Sequence, residues 1–148
     1  MVCCTNIIGS EFAFPPDDRQ VICPWGFYLT HYTPEDKSVC FKTLVIECGF
    51  QLSLQYHNHR AEFWYIHDEN SVYELTLGNT KSIFRGTQTV QIPCGTHHTI
   101  LNMSSVPLVI YEMQYASGPT GKCENSGIFR TLGLVTFQRS RYSESTRH

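Results

Sequence analysis

The stretch Gln55-Tyr56-His57-Asn58-His59-Arg60-Ala61-Glu62, preceded by Leu52-Ser53-Leu54, decides how this chain is read. Side chains alternate faces along a strand, so Gln55, His57 and His59 are expected on one face and Leu52, Leu54 and Tyr56 on the other. A second segment, Pro93-Cys94-Gly95-Thr96-His97-His98-Thr99-Ile100-Leu101-Asn102, brings another imidazole just after a Pro-x-Gly turn. Imidazole nitrogens with a carboxylate are donors that a divalent transition metal takes, and such a set with one position open suits catalysis. A lone histidine on a strand is usually structural. Three histidines and a carboxylate on two segments point instead to a metal site.

Composition removes several function classes. A chain of 148 residues is one domain with short tails. It can bury about 70% of its unfolded surface, so it needs no disulfides to fold. Net charge is −2, with only 11 lysines and arginines and no basic run, so nucleic-acid or membrane-surface binding has no electrostatic support. No apolar run reaches transmembrane length, and the N-terminus lacks the basic start and apolar core of a signal peptide. The expectation is a cytoplasmic protein. Its seven cysteines form no Cys-x-x-Cys pair, which argues against a zinc knuckle and for reduced thiols, several buried as small apolar residues. The vicinal Cys3-Cys4 pair is the exception, open to oxidation or metal binding.

Residues 1–20, with Pro15-Pro16 and Asp17-Asp18, read as an extended N-terminal arm. From Val21 to Tyr115 short strands alternate with turn signals. Gly26–Tyr32 and Val39–Glu47 flank a polar turn with Pro34 early in it and should form a hairpin. Further strands are expected at Leu52–His59, Phe63–Ile66, Ser71–Leu77, Lys81–Arg85, Thr89–Ile92, His98–Met103 and Leu108–Gln114. Ile128–Phe137 is expected as a last strand or helix, and residues 131–148 form a short irregular C-terminal tail. About eight antiparallel strands in one domain over residues 21–130 give an all-β jelly roll. If the polar face of Leu52–His59 lines the interior, Leu52, Leu54 and Tyr56 face outward and need a cover: the arm, a second subunit or a neighbouring sheet. The expectation is a homodimer.

The two segments resemble the paired motifs of cupins, small β-barrels that hold one metal inside. The first cupin motif is His-x-His followed, after three or four residues, by Glu. Starting at Gln55 it fits closely, with glutamine in place of the first histidine and its carbonyl as an oxygen ligand. The second, Pro-x-Gly-x-x-His-x-x-x-Asn, is matched at Pro93, Gly95, His98 and Asn102. The resemblance therefore implies Gln55, His57, Glu62 and His98 as ligands of one divalent ion. Zinc comes first, with iron, manganese, nickel or cobalt as alternatives. His59 is the alternative to Gln55, or a contact for substrate or for a ligand side chain. His97 should face away, and His31 and His67 read as surface residues.

A narrower resemblance runs through Pro24-Trp25-Gly26-Phe27-Tyr28, Leu52–Trp64, Ile92–His98, Val106-Pro107-Leu108 and Tyr111-Glu112-Met113-Gln114. Over about Cys23 to Tyr115 the chain is similar to the cupin domain of type II mannose-6-phosphate isomerases, which usually follows a mannose-1-phosphate guanylyltransferase domain. The Leu-Ser-Leu-Gln-x-His-x-His-Arg-Ala-Glu run is the specific part. The family generally has arginine where this chain has Cys23, histidine at Phe63, and two acids at Ser126 and Gly127. The resemblance implies a phosphorylated hexose as partner and aldose–ketose isomerisation of mannose 6-phosphate and fructose 6-phosphate. Lys42, Arg60 and Arg130 are its phosphate-binding candidates. Glu112, with His59 as alternative, is the base candidate. A cupin that binds a sugar phosphate or a protein without turnover is the second reading. A non-haem iron oxygenase is the third, and a glutamine ligand argues against it.

Overall fold

The polar turn after Tyr32 closes the expected hairpin. In the computed structural model, which describes residues 19–117 and 122–123, β2 (Gly26–Tyr32) and β3 (Val39–Ile46) pair antiparallel. The Lys37 amide donates to the Pro34 carbonyl at 2.9 Å, and Lys37 takes a positive φ of 55° to make the turn. Upstream, β1 (Gln20–Cys23) pairs with β2 through the Pro24-Trp25 corner. This strand begins inside the segment read as an arm, and the rest of that arm, residues 1–18, lies outside the described residues. Gly26 makes the corner possible. Its φ is +144°, and a Cβ there would collide with the Val45 carbonyl on the neighbouring strand.

The remaining strands are β4 (Arg60–Ile66), β5 (Val72–Leu77), β6 (Thr80–Arg85), β7 (Gln88–Ile92), β8 (His98–Asn102) and β9 (Leu108–Ala116). They form a six-stranded sheet, β1-β2-β3-β9-β4-β7, and a three-stranded sheet, β6-β5-β8. Every pairing is antiparallel. The described residues are therefore all-β, as the short alternating runs predict. One core joins the sheets: Leu44, Ile46, Trp64, Ile66, Leu108 and Ile110 from the larger meet Tyr73, Leu75 and Ile100 from the smaller. Burying each such side chain stabilises the fold by about 1.5–3 kcal/mol. Among the described residues no helix is long and apolar enough to cross a membrane.

The segment Leu52–His59 departs from expectation, because it does not form a strand. Two isolated bridges to β8, Gln51 to Leu101 just before it and Gln55 to His98 within it, take the place of a ladder. Four steps along one chain therefore match three along the other, the signature of a one-residue bulge. A slip of one residue flips the faces that follow. Leu52 is accordingly buried in the core, while Leu54 is exposed and Tyr56 packs its ring 4.6 Å from that of His97. The buried Thr99 hydroxyl donates to the Leu52 carbonyl and accepts from Gln51 at 3.2 Å, satisfying the bulge. The outward apolar stripe does not exist, and the expectation of a homodimer loses that support.

Two smaller corrections follow. β4 starts at Arg60 rather than Phe63, because Arg60 and Glu62 are inward-facing members of the strand. Cys48 is disulfide-bonded rather than reduced, whereas Cys23, Cys40, Cys94 and Cys123 are free thiols. The expected element at Ile128–Phe137 and the tail at 131–148 lie outside the described residues.

Candidate metal centre

Three side chains converge inside the barrel. Glu62 points inward from the middle of β4, His98 opens β8, and His57 lies on the loop before β4; all three are buried. Their ligand atoms lie within 4.8 Å of one another. Glu62 Oε1 is 3.1 Å from His57 Nε2, and Glu62 Oε2 is 3.4 Å from His98 Nε2. The Pro93–Thr96 turn holds the backbone of His57 and the ring of His98. Gly95, at φ +79°, donates its amide to the His57 carbonyl at 2.7 Å, and the Cys94 thiol reaches the same carbonyl at 3.3 Å. The Thr96 carbonyl accepts from His98 Nδ1 at 2.9 Å.

That last bond places the proton of a neutral His98 on Nδ1 and leaves Nε2 as a buried lone pair with no hydrogen-bond partner. It faces a carboxylate oxygen, another acceptor. Two acceptors turned toward each other in a dry site need a cation between them: a proton or a metal. Two imidazoles and one carboxylate are a donor set that zinc and Fe(II) both accept, so the residues fit a divalent ion. The electrostatics agree. Burial penalises the Glu62 charge, but the contacts with His57 and His98 and the Arg60 guanidinium outweigh it and hold its carboxyl well below the usual range. Burial also opposes charge on His98, yet Glu62 raises its pKa above the ordinary histidine value. Burial, with Arg60 and His98 beside it, lowers that of His57.

A second carboxylate stands next to the first. Glu112 on β9 is buried on the same inner face, and burial together with Glu62 pushes its pKa up to about 7 against the opposing charges of Lys42 and Arg60. The Trp64 indole donates to Glu112 Oε2 at 2.9 Å and to Glu62 Oε2 at 3.2 Å. The Gln114 amide donates to Glu112 Oε1 at 2.5 Å. Lys42, the cross-strand partner of Glu112 in the β3–β9 register, is half-buried with Nζ 4.7 Å from the centre of the Tyr28 ring.

Other candidates are placed differently. Gln55 is paired with His98 through both backbone hydrogen bonds, so the two side chains share a face, and its amide nitrogen donates to the Ser53 carbonyl at 3.2 Å. His59 is half-buried and is not among the three converging residues; its Nδ1 is buried without a hydrogen-bond partner. Arg60 is buried, donating from Nε to Glu62 Oε1 and from Nη2 to His57 Nε2, each at 3.0 Å. His97, His31 and His67 are exposed. Asn102 of the second motif is structural: its amide donates to the carbonyls of Ile46 and Val106, tying β3 to the turn before β9. Arg130, Ser126 and Gly127 lie outside the described residues. Trp64 and Gln114 are the residues that motif reading missed. Their i+2 spacing from Glu62 and Glu112 is the signal that puts each donor beside its carboxylate.

Comparison with known proteins agrees with this architecture. The family described as "Mannose-6-phosphate isomerase C-terminal" matches residues 16–121. The xanthan biosynthesis protein XanB of Xanthomonas campestris is 33% identical over 99 residues, 67% of this chain and 20% of that protein. A putative mannose-1-phosphate guanylyltransferase of Vibrio cholerae is 31% identical over 103 residues, 68% of this chain and 21% of that protein. The chain thus spans about a fifth of the length of these relatives. Among solved structures, a cupin 2 conserved barrel domain protein from Salinispora arenicola superposes with a TM-score of 0.54 at 15% identity, over 72% of this chain and 90% of that one. The cupin domain of Schizosaccharomyces pombe Cnp3 gives 0.56 at 14% identity, over 62% of this chain and 64% of that one. The shared fold is the cupin jelly roll.

Proposed function

The chain belongs to the mannose-6-phosphate isomerase C-terminal family, and on that premise we propose that it is a metal-dependent sugar-phosphate isomerase. Mannose 6-phosphate and fructose 6-phosphate are first in line as its substrates. One observation carries the reading. Two neighbouring buried carboxylates have environments that separate them, with Glu62 held ionised among metal ligands and Glu112 pushed to about 7. That split suits one group to hold a cation and the other to exchange a proton near neutral pH.

In this reading His57, Glu62 and His98 hold a divalent ion, zinc first, with the Gln55 side-chain carbonyl as fourth ligand. The ion would supply Lewis-acid stabilisation of the charge that develops on the sugar oxygens. Glu112, held in place by Trp64 and Gln114, takes the proton from C2 of the aldose and returns it at C1, while the hydroxyl proton on O2 passes to O1. Lys42 faces the same interior and offers a charge to the sugar phosphate, a role shared with Arg130. Barrel walls of Leu44, Ile110 and Trp64 keep water from the exchanging proton.

The sequence departure at Phe63 does not weaken the reading. Phe63 alternates with Glu62 and Trp64 on β4, so it lies on the outer face, away from the carboxylates. Cys23 is different: it packs against the core beside Tyr28, and a cation there would stand near the cavity. This favours a changed sugar over a lost activity. Metal analysis of the purified chain, then conversion of fructose 6-phosphate with each divalent ion, tests the proposal. Turnover with one ion and none after chelation supports it. Stoichiometric metal without turnover of either hexose phosphate leaves a binding module.

A further inference from the structure

Arg60 bonds two of the three side chains that converge at the candidate metal centre. Its Nη2 donates to His57 Nε2, and its Nε donates to Glu62 Oε1, both at 3.0 Å. A guanidinium only donates and keeps its charge, so each bond consumes a lone pair of the acceptor. An imidazole nitrogen has one lone pair in the ring plane, and it serves the arginine or a metal but not both.

We propose that Arg60 and the metal compete for His57 and Glu62, so that metal entry expels the guanidinium and Arg60 sets the affinity of the site. The proposal rests on the assignment of the metal centre. The ordinary alternative is an outer partner that orients a ligand from behind and strengthens metal binding. Such a partner bonds the far ring nitrogen. Here the far nitrogen, His57 Nδ1, has no hydrogen-bond partner, and the arginine sits on Nε2 instead.

The two sides of Glu62 give an order of entry. Oε2 faces His98 Nε2, whose lone pair has no hydrogen-bond partner, while Oε1 faces His57 and Arg60. His98 and Oε2 would thus be open to a divalent ion before His57, which Arg60 holds. Glu112 is the neighbouring acid whose pKa the Arg60 charge lowers, so a displaced guanidinium would have a carboxylate to turn to.

The test uses the full chain stripped with a chelator and titrated with Zn2+. Arg60→Met keeps the length of the stem and removes both donors. Calorimetry should show it binding zinc about tenfold or more tighter than the unaltered chain, the scale of one charged hydrogen bond. Equal or weaker binding would overturn the proposal. A second readout needs no variant. The Arg60 Nε–H resonance, assigned through bonds in a 15N-labelled sample, should shift and lose exchange protection at one equivalent of zinc. An unchanged resonance at saturation would sink competition alone, whereas no zinc binding by the unaltered chain would sink the metal centre with it.

Discussion

Glu62 and Glu112 accept a hydrogen bond from the same donor, the Trp64 indole, at 3.2 and 2.9 Å, and face one interior from adjacent strands. Two carboxylates this close in a dry barrel cannot both ionise freely. The surroundings decide which one does. Histidines and Arg60 favour charge on Glu62, while burial and the Glu62 charge keep Glu112 protonated up to about pH 7.

The raised Glu112 pKa makes stability depend on pH with a definite sign. The folded state holds a proton that the unfolded state releases above its ordinary pKa of 4.5, so stability falls as pH rises from there to about 7. Glu112→Gln removes this dependence. Chelator-treated wild type should lose about 3 kcal/mol relative to Glu112→Gln between pH 4.5 and 7, measured by denaturant unfolding. A constant difference across that range would refute the assignment.

His57→Ala and His98→Ala should each abolish stoichiometric metal while the β-sheet circular dichroism survives. His97→Ala should leave metal content unchanged, because its ring is exposed against Tyr56. His98 also dictates the pH dependence of metal binding. Its pKa is raised above 6.5, so protons displace the metal as pH falls through a point above the ordinary histidine value. Full metal retention in His98→Ala, or an affinity flat from pH 8 to 6, would contradict the ligand set.

Gln55 and His59 are separated by substitution. Gln55 is paired across the bridge with His98, whereas His59 is not among the three side chains that converge as candidate ligands. Gln55→Ala should weaken zinc binding more than His59→Ala does. The reverse order would exchange their roles.

Gly26 tests the corner that carries β1 into β2. At φ +144° with the Val45 carbonyl against it, any Cβ is strained and crowded. Gly26→Ala should cost about 2 kcal/mol or more, read as a lower denaturation midpoint at unchanged slope. A change within about 0.5 kcal/mol would mean the strand pair can shift to make room.

Much of this was legible in the residues and some was not. The hairpin strands β2 and β3 were readable because a proline turn punctuates two β-rich runs, and β5 to β9 because turn residues bound each. Leu52–His59 misled for a physical reason. Its alternation imitates a strand, but a bulge is a property of the pairing with β8 and leaves no mark on composition. Arg60 reads in the sequence as a phosphate-binding candidate, whereas inside the barrel its guanidinium bonds Glu62 and His57. The histidine and glutamate spacing pointed to the three side chains that converge as the candidate metal centre. Trp64, Gln114 and the split between the two carboxylates required the third dimension.

Solvent-proton exchange is the most direct test of a proton-transferring metal centre. The metal-loaded chain is incubated in D2O with mannose 6-phosphate or fructose 6-phosphate, and deuterium at C1 and C2 is followed by proton NMR. Exchange that needs metal and is lost in Glu112→Gln is the predicted result. No deuterium at either carbon of either sugar, with metal bound and the barrel folded, would contradict it.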